Sequence, residues 1–555
     1  DELFCDAGVC ATRSHINIIQ TVPQPYSDSG IHAWLDGEFY NRKELGKDCS
    51  NAKSDAQILV ALYKKHKDFS FLKDIDGFYS ASLYDVARHK VFLITDRYGV
   101  RHIYWTVNDG NIAWSSEVKA FLALPEFSPK IDPGAVREFF SVGYLLEDRT
   151  WFENVKLLPS GTVLTWDLKE QKHTMRRYWW WDAIKPMNGK IEEKEIAEEL
   201  GRLFIKSVET MSGEDERIGV PLSGGLDSRA ILAAVPERKM PVNTITFGNK
   251  SCDDALIAAM ASRVKGAVHQ IFEINEKNWF GPRLKCTWIT DGQLNLLHMH
   301  GFEARAVLNK HFQVVLNGFA GDLVLGGGYL KNENSLDVPI DENRAVESMG
   351  CAPDIIPDLS DYQNLQKTDF FFLQNRVRRF TSEGTRHVIT SVVNRNPFFY
   401  NELLELSYSL PDSLRYKSRI YKTMLLHYFP EFFRKIPWQK SGIPIGRLNP
   451  IEKALYFPRR ARTRLSRKMR RLGLPTLINT EYTNYPKWIR SEPASSFFKK
   501  TLDNHDALFP EYTSRDRALD CLSRHFSGQD RSEMLCRYVT FELWLQRVFN
   551  KNSFE

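Results

Sequence analysis

Ile218-Gly219-Val220-Pro221-Leu222-Ser223-Gly224-Gly225-Leu226-Asp227-Ser228 carries an apolar segment straight into a loop with two adjacent glycines. Residues 218–222 predict a buried strand and residues 229–235 a helix, with the glycines at the turn between them. Such a step is the repeating unit of a parallel α/β sheet. The pattern continues on both sides. A helix is predicted over 192–211. Strands over 242–247 and 269–274 flank a helix around 254–264. A further strand, 312–316, ends in Asn317-Gly318-Phe319-Ala320-Gly321-Asp322. Beyond 330 the chain reads as mostly helical. The first 180 residues have a different texture. Short β-rich runs at 16–22, 31–35, 78–84, 91–95, 102–107 and 111–115 alternate with Gly, Asp and Asn turns. Helices are predicted at 54–66 and 133–142, the second with Asp132 as cap and Pro133 in its first turn. An aromatic stretch followed by Pro and Gly, 177–189, marks the boundary. The expected fold class is therefore α/β plus α+β in two domains, 1–183 and 190–555.

The composition fits a folded, multidomain chain. Of 555 residues, 43% are hydrophobic and 26% charged, which excludes a disordered, collagen-like or coiled-coil protein. No stretch of about 18 apolar residues occurs, so no spanning helix is expected. The eight cysteines, at 5, 10, 49, 252, 286, 351, 521 and 536, form no CxxC pair. They predict reduced, packed thiols in a cytoplasmic protein rather than a zinc or disulfide framework. The net charge is +6, yet residues 459–471 alone hold eight Arg and Lys and no acid. Removing those eight charges from +6 leaves −2, so the excess is one local feature, here bounded as 457–472.

The loop at 223–228 has the chemistry of an anion site. Gly224 and Gly225 permit positive φ and close backbone approach. Ser223, Ser228 and the loop amides can donate to phosphate oxygens at a helix N-terminus. Asp227 would repel a bare phosphate, and makes sense as a ligand of Mg²⁺ bridging phosphates. No GK[ST] follows, so this is not a Walker loop. A second loop, 317–322, sits at the end of a later strand, where parallel sheets bind ligands, and offers Asp322 as a second metal ligand. A third element, Trp438-Gln439-Lys440, supplies a cation able to stabilise charge developing on a phosphate or an oxyanion. Each element alone is also what a capped turn or a solvated lysine looks like. Their combination is not.

Ser223–Ser228 resembles the pyrophosphate loop of ATP pyrophosphatases, which cleave ATP between the α- and β-phosphates and adenylate an oxygen. With Asn317–Gly328, Asn394–Phe398 and Trp438–Lys440, the chain is similar over nearly its whole length to the asparagine synthetase family. That resemblance implies ATP and Mg²⁺ as cofactors. It places Ser223, Gly224, Gly225, Leu226, Asp227, Ser228, Thr246, Phe247, Gly318 and Asp322 around the nucleotide, Asp227 and Asp322 on the metal, and Lys440 in catalysis. The N-terminal half is similar to the family's glutamine amidotransferase domain, an N-terminal-nucleophile αββα sandwich. There, Asp36-Gly37-Glu38-Phe39-Tyr40-Asn41 matches NGEIYN, and Asp55 falls on the carboxylate that holds the glutamine amino group.

The departures point to a degenerate amidotransferase half. By register, residue 1 falls some tens of residues inside that domain, so the nucleophile's strand would precede it. His15 takes the place of the Arg that grips the glutamine carboxylate. Asp36 stands where an Asn completes an oxyanion hole, and losing such a donor costs about 10²–10³ in rate. Phe319 replaces the acid of asparagine synthetases and the Tyr of β-lactam synthetases, which leaves Glu383 as the candidate base. Relatives with a degenerate half, the β-lactam and carbapenam synthetases and the lasso-peptide cyclases, use an amine of their own substrate. The expected function is thus an AMP-forming amide ligase acting on a small-molecule or peptide carboxylate. A glutamine-hydrolysing asparagine synthetase and a non-catalytic regulatory homologue are the alternatives. Trp179–Trp181 reads as a packing cluster, and His298 and His300 as structural or pocket-lining. Segment 459–471 reads either as a solvated cationic helix, with Leu465, Met469 and Leu472 in a narrow apolar stripe, or as a site for an anionic partner. No feature sets an oligomeric state.

Overall fold

The computed structural model describes residues 2–6, 8–45, 52–189, 192–446, 448–471 and 482–550. The chain forms two compact units. The first comprises 1–183, 339–366 and 370–383, and the second 184–338, 367–369 and 384–555. Segments 339–366 and 370–383 thus belong with the N-terminal unit, although the sequence boundary lies far upstream of them.

The first unit is built on a six-stranded antiparallel sheet. Its order is Lys172–Arg177, Thr162–Asp167, Lys90–Thr95, Gly77–Asp85, Ile31–Phe39, Tyr26–Asp28. Successive side chains point to opposite faces, and both faces are covered. Ala33, Leu35, Tyr79, Ala81, Leu83, Phe92 and Ile94 pack with the helix Asp55–His66. Trp34, Tyr84, Val91, Leu93, Leu164 and Trp166 pack with Ile103 and Trp105, and Trp105 belongs to a second, three-stranded sheet. Coverage on both sides explains why all nine residues of Gly77–Asp85 are buried. Ser54 caps the helix by accepting from the Gln57 amide (3.3 Å), and helix Pro133–Val142 has the expected Asp132 cap and N-terminal Pro.

Two expectations fail in the first turn of the chain. Residues 16–22 are not a strand, because Asn17 and Gln20 take φ of 55° and 51°, which no strand accommodates. The strands there are Glu2–Cys5 and Cys10–Arg13, paired antiparallel. They are joined by a Cys5–Cys10 disulfide, so these two cysteines are not reduced thiols. Cys252, Cys286, Cys351, Cys521 and Cys536 are free, and Cys49 lies outside the described residues.

The second unit contains a five-stranded parallel sheet. In space its strands run Val268–Phe272, Asn243–Phe247, Ile218–Pro221, Val314–Leu316, Val393–Arg395. Numbered by sequence, that order is 3-2-1-4-5, so the winding reverses between Ile218–Pro221 and Val314–Leu316. At such a switch point the loops leaving the two central strands diverge and open a crevice. Those loops are 222–226 and 317–320. Four helices, Tyr485–Arg490, Ala494–Asp503, Arg515–Phe526 and Ser532–Leu545, complete the unit, and the last of these is almost entirely buried. Among the described residues no helix is long and apolar enough to cross a membrane.

Candidate adenylating site and amidotransferase-like pocket

Three sequence-distant elements meet at the switch point of the second unit. Leu222 is held in register by its amide donating to Ile245 O (2.8 Å), and Thr246 Oγ1 donates to Leu222 O (2.6 Å). The loop then turns into the helix Asp227–Ala234. The Ser223 amide donates to Ser228 Oγ (3.0 Å), the Gly225 amide to Ser223 Oγ (3.2 Å), and the Gly224 amide to Asp254 Oδ1 (2.8 Å). These three amides are therefore engaged within the protein and are not aimed at a ligand. The groups that remain to meet an anion are the Ser223 and Ser228 hydroxyls, 3.1 Å apart, and the helix N-terminus. Neither Gly224 nor Gly225 has positive φ. Gly224 is required for another reason: a Cβ there would lie 2.7 Å from Gln439 Cβ.

That contact joins the loop to the third element. The Gln439 amide donates to Gly224 O (3.2 Å), and Gln439 Nε2 to Asp254 Oδ2 (3.0 Å). Asp254 thus bridges both loops. Arg229 binds them from beneath. It is fully buried, donating from Nε to Gly225 O (2.7 Å) and from Nη1 toward the carbonyls of Ile436 (3.4 Å) and Pro437 (3.2 Å). Lys440 Nζ lies 5.5 Å from the centre of the Trp438 ring, and Lys422 Nζ lies equally far from it. Burial and the charge of Lys440 push the Lys422 ammonium down from its ordinary value.

Asp227 and Asp322 are brought together as the sequence suggested. The Asp322 amide donates to Asp227 Oδ2 (3.0 Å), and Tyr421 Oη donates to Asp227 Oδ1 (2.9 Å). Burial first, then the neighbouring Asp322 carboxylate, raise the Asp227 carboxyl well above the usual range. Two carboxylates held this close favour a cation between them. Among the described residues no group of three or more His, Cys, Asp and Glu could hold a metal alone. The pair therefore suits a divalent ion whose remaining ligands are phosphate oxygens and water. Gly321 is needed at this meeting point, since a Cβ would lie 2.7 Å from Asp227 Cγ. Ala320, just before it, is left-handed (φ 60°). Phe319 faces the Phe399 ring at 5.9 Å, and its carbonyl accepts from Asn396 Nδ2 (3.0 Å).

The first unit holds the amidotransferase-like pocket. Asp55 is 1% exposed and accepts from the Phe39 amide (2.8 Å) and from Gln20 Nε2. The Asp55 amide donates back to Gln20 Oε1 (3.1 Å). Burial pushes the Asp55 carboxyl up to about 6. Among the described residues Asp55 Oδ1 has no hydrogen-bond partner, and Arg42 Nε lies 3.7 Å from it. Gly37 has φ 114°, and a Cβ there would meet Phe78 O at 2.0 Å, so the backbone between Asp36 and Glu38 tolerates only glycine. Asp36 is exposed, with Arg101 Nη1 3.8 Å from its carboxylate.

Comparisons with known proteins find a match in each unit. A family model described as a glutamine amidotransferase domain matches residues 1–179, and one described as asparagine synthase matches 199–382. The chain thus joins a glutamine amidotransferase-like domain to an asparagine synthase-like domain, the arrangement of the asparagine synthetase family. A putative glutamine-hydrolysing asparagine synthetase of Methanocaldococcus jannaschii is 28% identical over 53% of this chain and 58% of its own. Asparagine synthetase 2 of Bacillus subtilis is 24% identical over 75% and 62%. A protein of Gibberella zeae named amidase chry2 is 26% identical over 58% and 52%. The match therefore spans between half and two thirds of the length of these relatives.

Two expected residues have other partners in the fold. His15 Nε2 lies 3.7 Å from Glu2. Arg13 pairs with the same Glu2 (3.1 Å) and donates to Gln20 O (3.0 Å). Glu383 belongs to the first unit, is 1% exposed and lies 3.0 Å from His102 Nδ1. That His is itself pushed down to about 4, chiefly by burial. Residues that the sequence pattern did not single out include Arg229, Asp254, Tyr421, Lys422 and Arg13. No motif marks them, because each acts by packing against a distant segment.

Proposed function

We propose that this chain is an ATP-dependent amide ligase of the asparagine synthetase family. It adenylates a carboxylate with release of pyrophosphate and delivers the acyl group to an amine that does not come from glutamine. The observation that carries the first part is the convergence of Ser223–Ser228, the Asp227–Asp322 pair and the Trp438–Lys440 loop at one switch point. Ser223 and Ser228 hold the departing pyrophosphate. Asp227 and Asp322 would hold Mg²⁺, which would neutralise phosphate charge when bound. Lys440 stabilises charge on the α-phosphate during attack and on the oxyanion when the amine enters. Holding acyl-adenylate and amine in one site supplies much of the rate by proximity.

The choice of amine rests on the first unit. Asp36 stands where an oxyanion donor is needed, and an ionised carboxylate opposes an oxyanion. The Gln20 carboxamide already occupies Asp55, the carboxylate that would take the glutamine amino group. A second reading, a glutamine-fed asparagine synthetase, is favoured by Arg13, which donates to the carbonyl of the Gln20 that holds Asp55, and by the names of two relatives.

ATP–pyrophosphate exchange with the full-length protein tests both readings, run over a panel of amino acids and peptides beside a glutaminase assay. We expect carboxylate-dependent exchange without ammonia release, and a loss of about 10²–10³ in exchange for Lys440→Ala and Asp227→Asn. Glutaminase activity coupled to aspartate-dependent exchange would establish the second reading. No exchange with any acid would overturn both.

A further inference from the structure

The site described above leaves the basic segment without a role. That segment lies in the helix Pro450–Arg471. Arg462 Nη2 anchors the helix to Asp253 (2.7 Å), and Tyr456 Oη donates to Lys435 O (2.9 Å). Much of its remaining surface faces outward. Ile451, Leu455, Phe457 and Leu465 are 81%, 74%, 68% and 55% exposed, more than any other described large apolar side chain of the second unit. At about 100° per residue, Ile451, Leu455, Pro458 and Leu465 share one stripe, interrupted by Arg462, whose charge is taken up by Asp253. The same register puts Arg460 and Arg464, both exposed, on the opposite side. Leu472, expected in the stripe, lies outside the described residues.

Two chemistries therefore coincide on one exposed helix. The arginines alone would suit any polyanion. The leucine stripe gives a nucleic acid nothing to bind, and it is costly to leave in water. An interface that offers phosphates beside hydrocarbon satisfies both at once. We propose that Pro450–Arg471 docks on an anionic lipid surface, with the apolar stripe at the headgroup–acyl boundary and the arginines among the headgroup phosphates. Because the chain outside 459–471 carries a net −2, this helix sets which face meets the lipid.

Co-sedimentation of the intact protein with phosphatidylcholine vesicles, with and without phosphatidylserine, tests the docking. We expect about tenfold tighter partitioning onto the anionic vesicles, weakening severalfold in high salt. The double variants Leu455→Ser/Leu465→Ser and Arg460→Glu/Arg464→Glu should each lose about tenfold while keeping the wild-type melting curve, since all four side chains are exposed. Equal partitioning onto neutral and anionic vesicles would overturn the proposal. So would unchanged binding of the leucine variant. Capture of soluble polyglutamate without vesicle partitioning would also overturn it and assign the helix to an acidic polypeptide instead.

Discussion

At the scale of single residues, the synthetase site is held by positions that look ordinary in sequence. Ala320 is the clearest case. It sits at φ 60°, between the end of one central strand and Gly321, which must lie against Asp227. The left-handed region costs a non-glycine residue about 1–2 kcal/mol, while glycine loses part of that advantage through a freer unfolded chain. Ala320→Gly should therefore stabilise the protein by about 0.5–1 kcal/mol, read as a higher urea midpoint at unchanged m-value. A lower midpoint would show that the Ala methyl makes contacts worth more than the strain. The meeting of Asp227 and Asp322 was legible in advance, because loops at the carboxyl ends of parallel strands converge on one crevice. Register counted from distant motifs cannot resolve which of two nearby cations turns toward a pocket, and in the fold Arg13 and His15 both face Glu2.

Among elements, the parallel sheet was readable from its alternation, and its strands and helices fall within a few residues of expectation. The order 3-2-1-4-5 was not readable, since pairing between strands a hundred residues apart leaves no local mark. The same limit hid Arg229, which reads as a polar residue early in a helix. In the fold it ties Gly225 to the segment that leads into Trp438–Lys440. Its removal would leave buried carbonyls without a donor, at about 1–3 kcal/mol each. Arg229→Met should lower stability by on the order of 3 kcal/mol and raise the KM for ATP, because both loops lose their common anchor. Arg229→Lys should recover little of either, since a single ammonium cannot fork to carbonyls on two segments. Wild-type unfolding with Arg229→Met would show that the loops are held by Asp254 and Gln439 alone.

For the molecule as a whole, the sequence suggests a boundary near residue 183, and the packing adds two later segments to the first unit. The first unit takes in 339–366 and 370–383, which arrive after more than 150 residues spent in the second unit. They are not peripheral. Arg378 donates to Gly99 O (3.1 Å) and Leu158 O (2.6 Å), and Arg379 to Arg149 O (2.6 Å). Asn375 Nδ2 donates to Glu147 (2.7 Å), and the Phe370 ring stacks on Trp181 at 4.7 Å. Severing the chain at 183 would expose Trp181, which is 1% exposed in the fold, and would leave several buried carbonyls and the Glu147 carboxylate without donors. Penalties of about 1–3 kcal/mol per group soon exceed the 5–15 kcal/mol that holds a domain together. Expressed alone, residues 1–183 should therefore show no cooperative thermal transition and should bind a hydrophobic dye strongly. Adding residues 339–383 through a flexible linker should restore a sharp transition. The linker supplies only proximity, so recovery would assign the missing stability to those side chains. A sharp melt for 1–183 without them would mean that the buried arginines contribute little to the first unit.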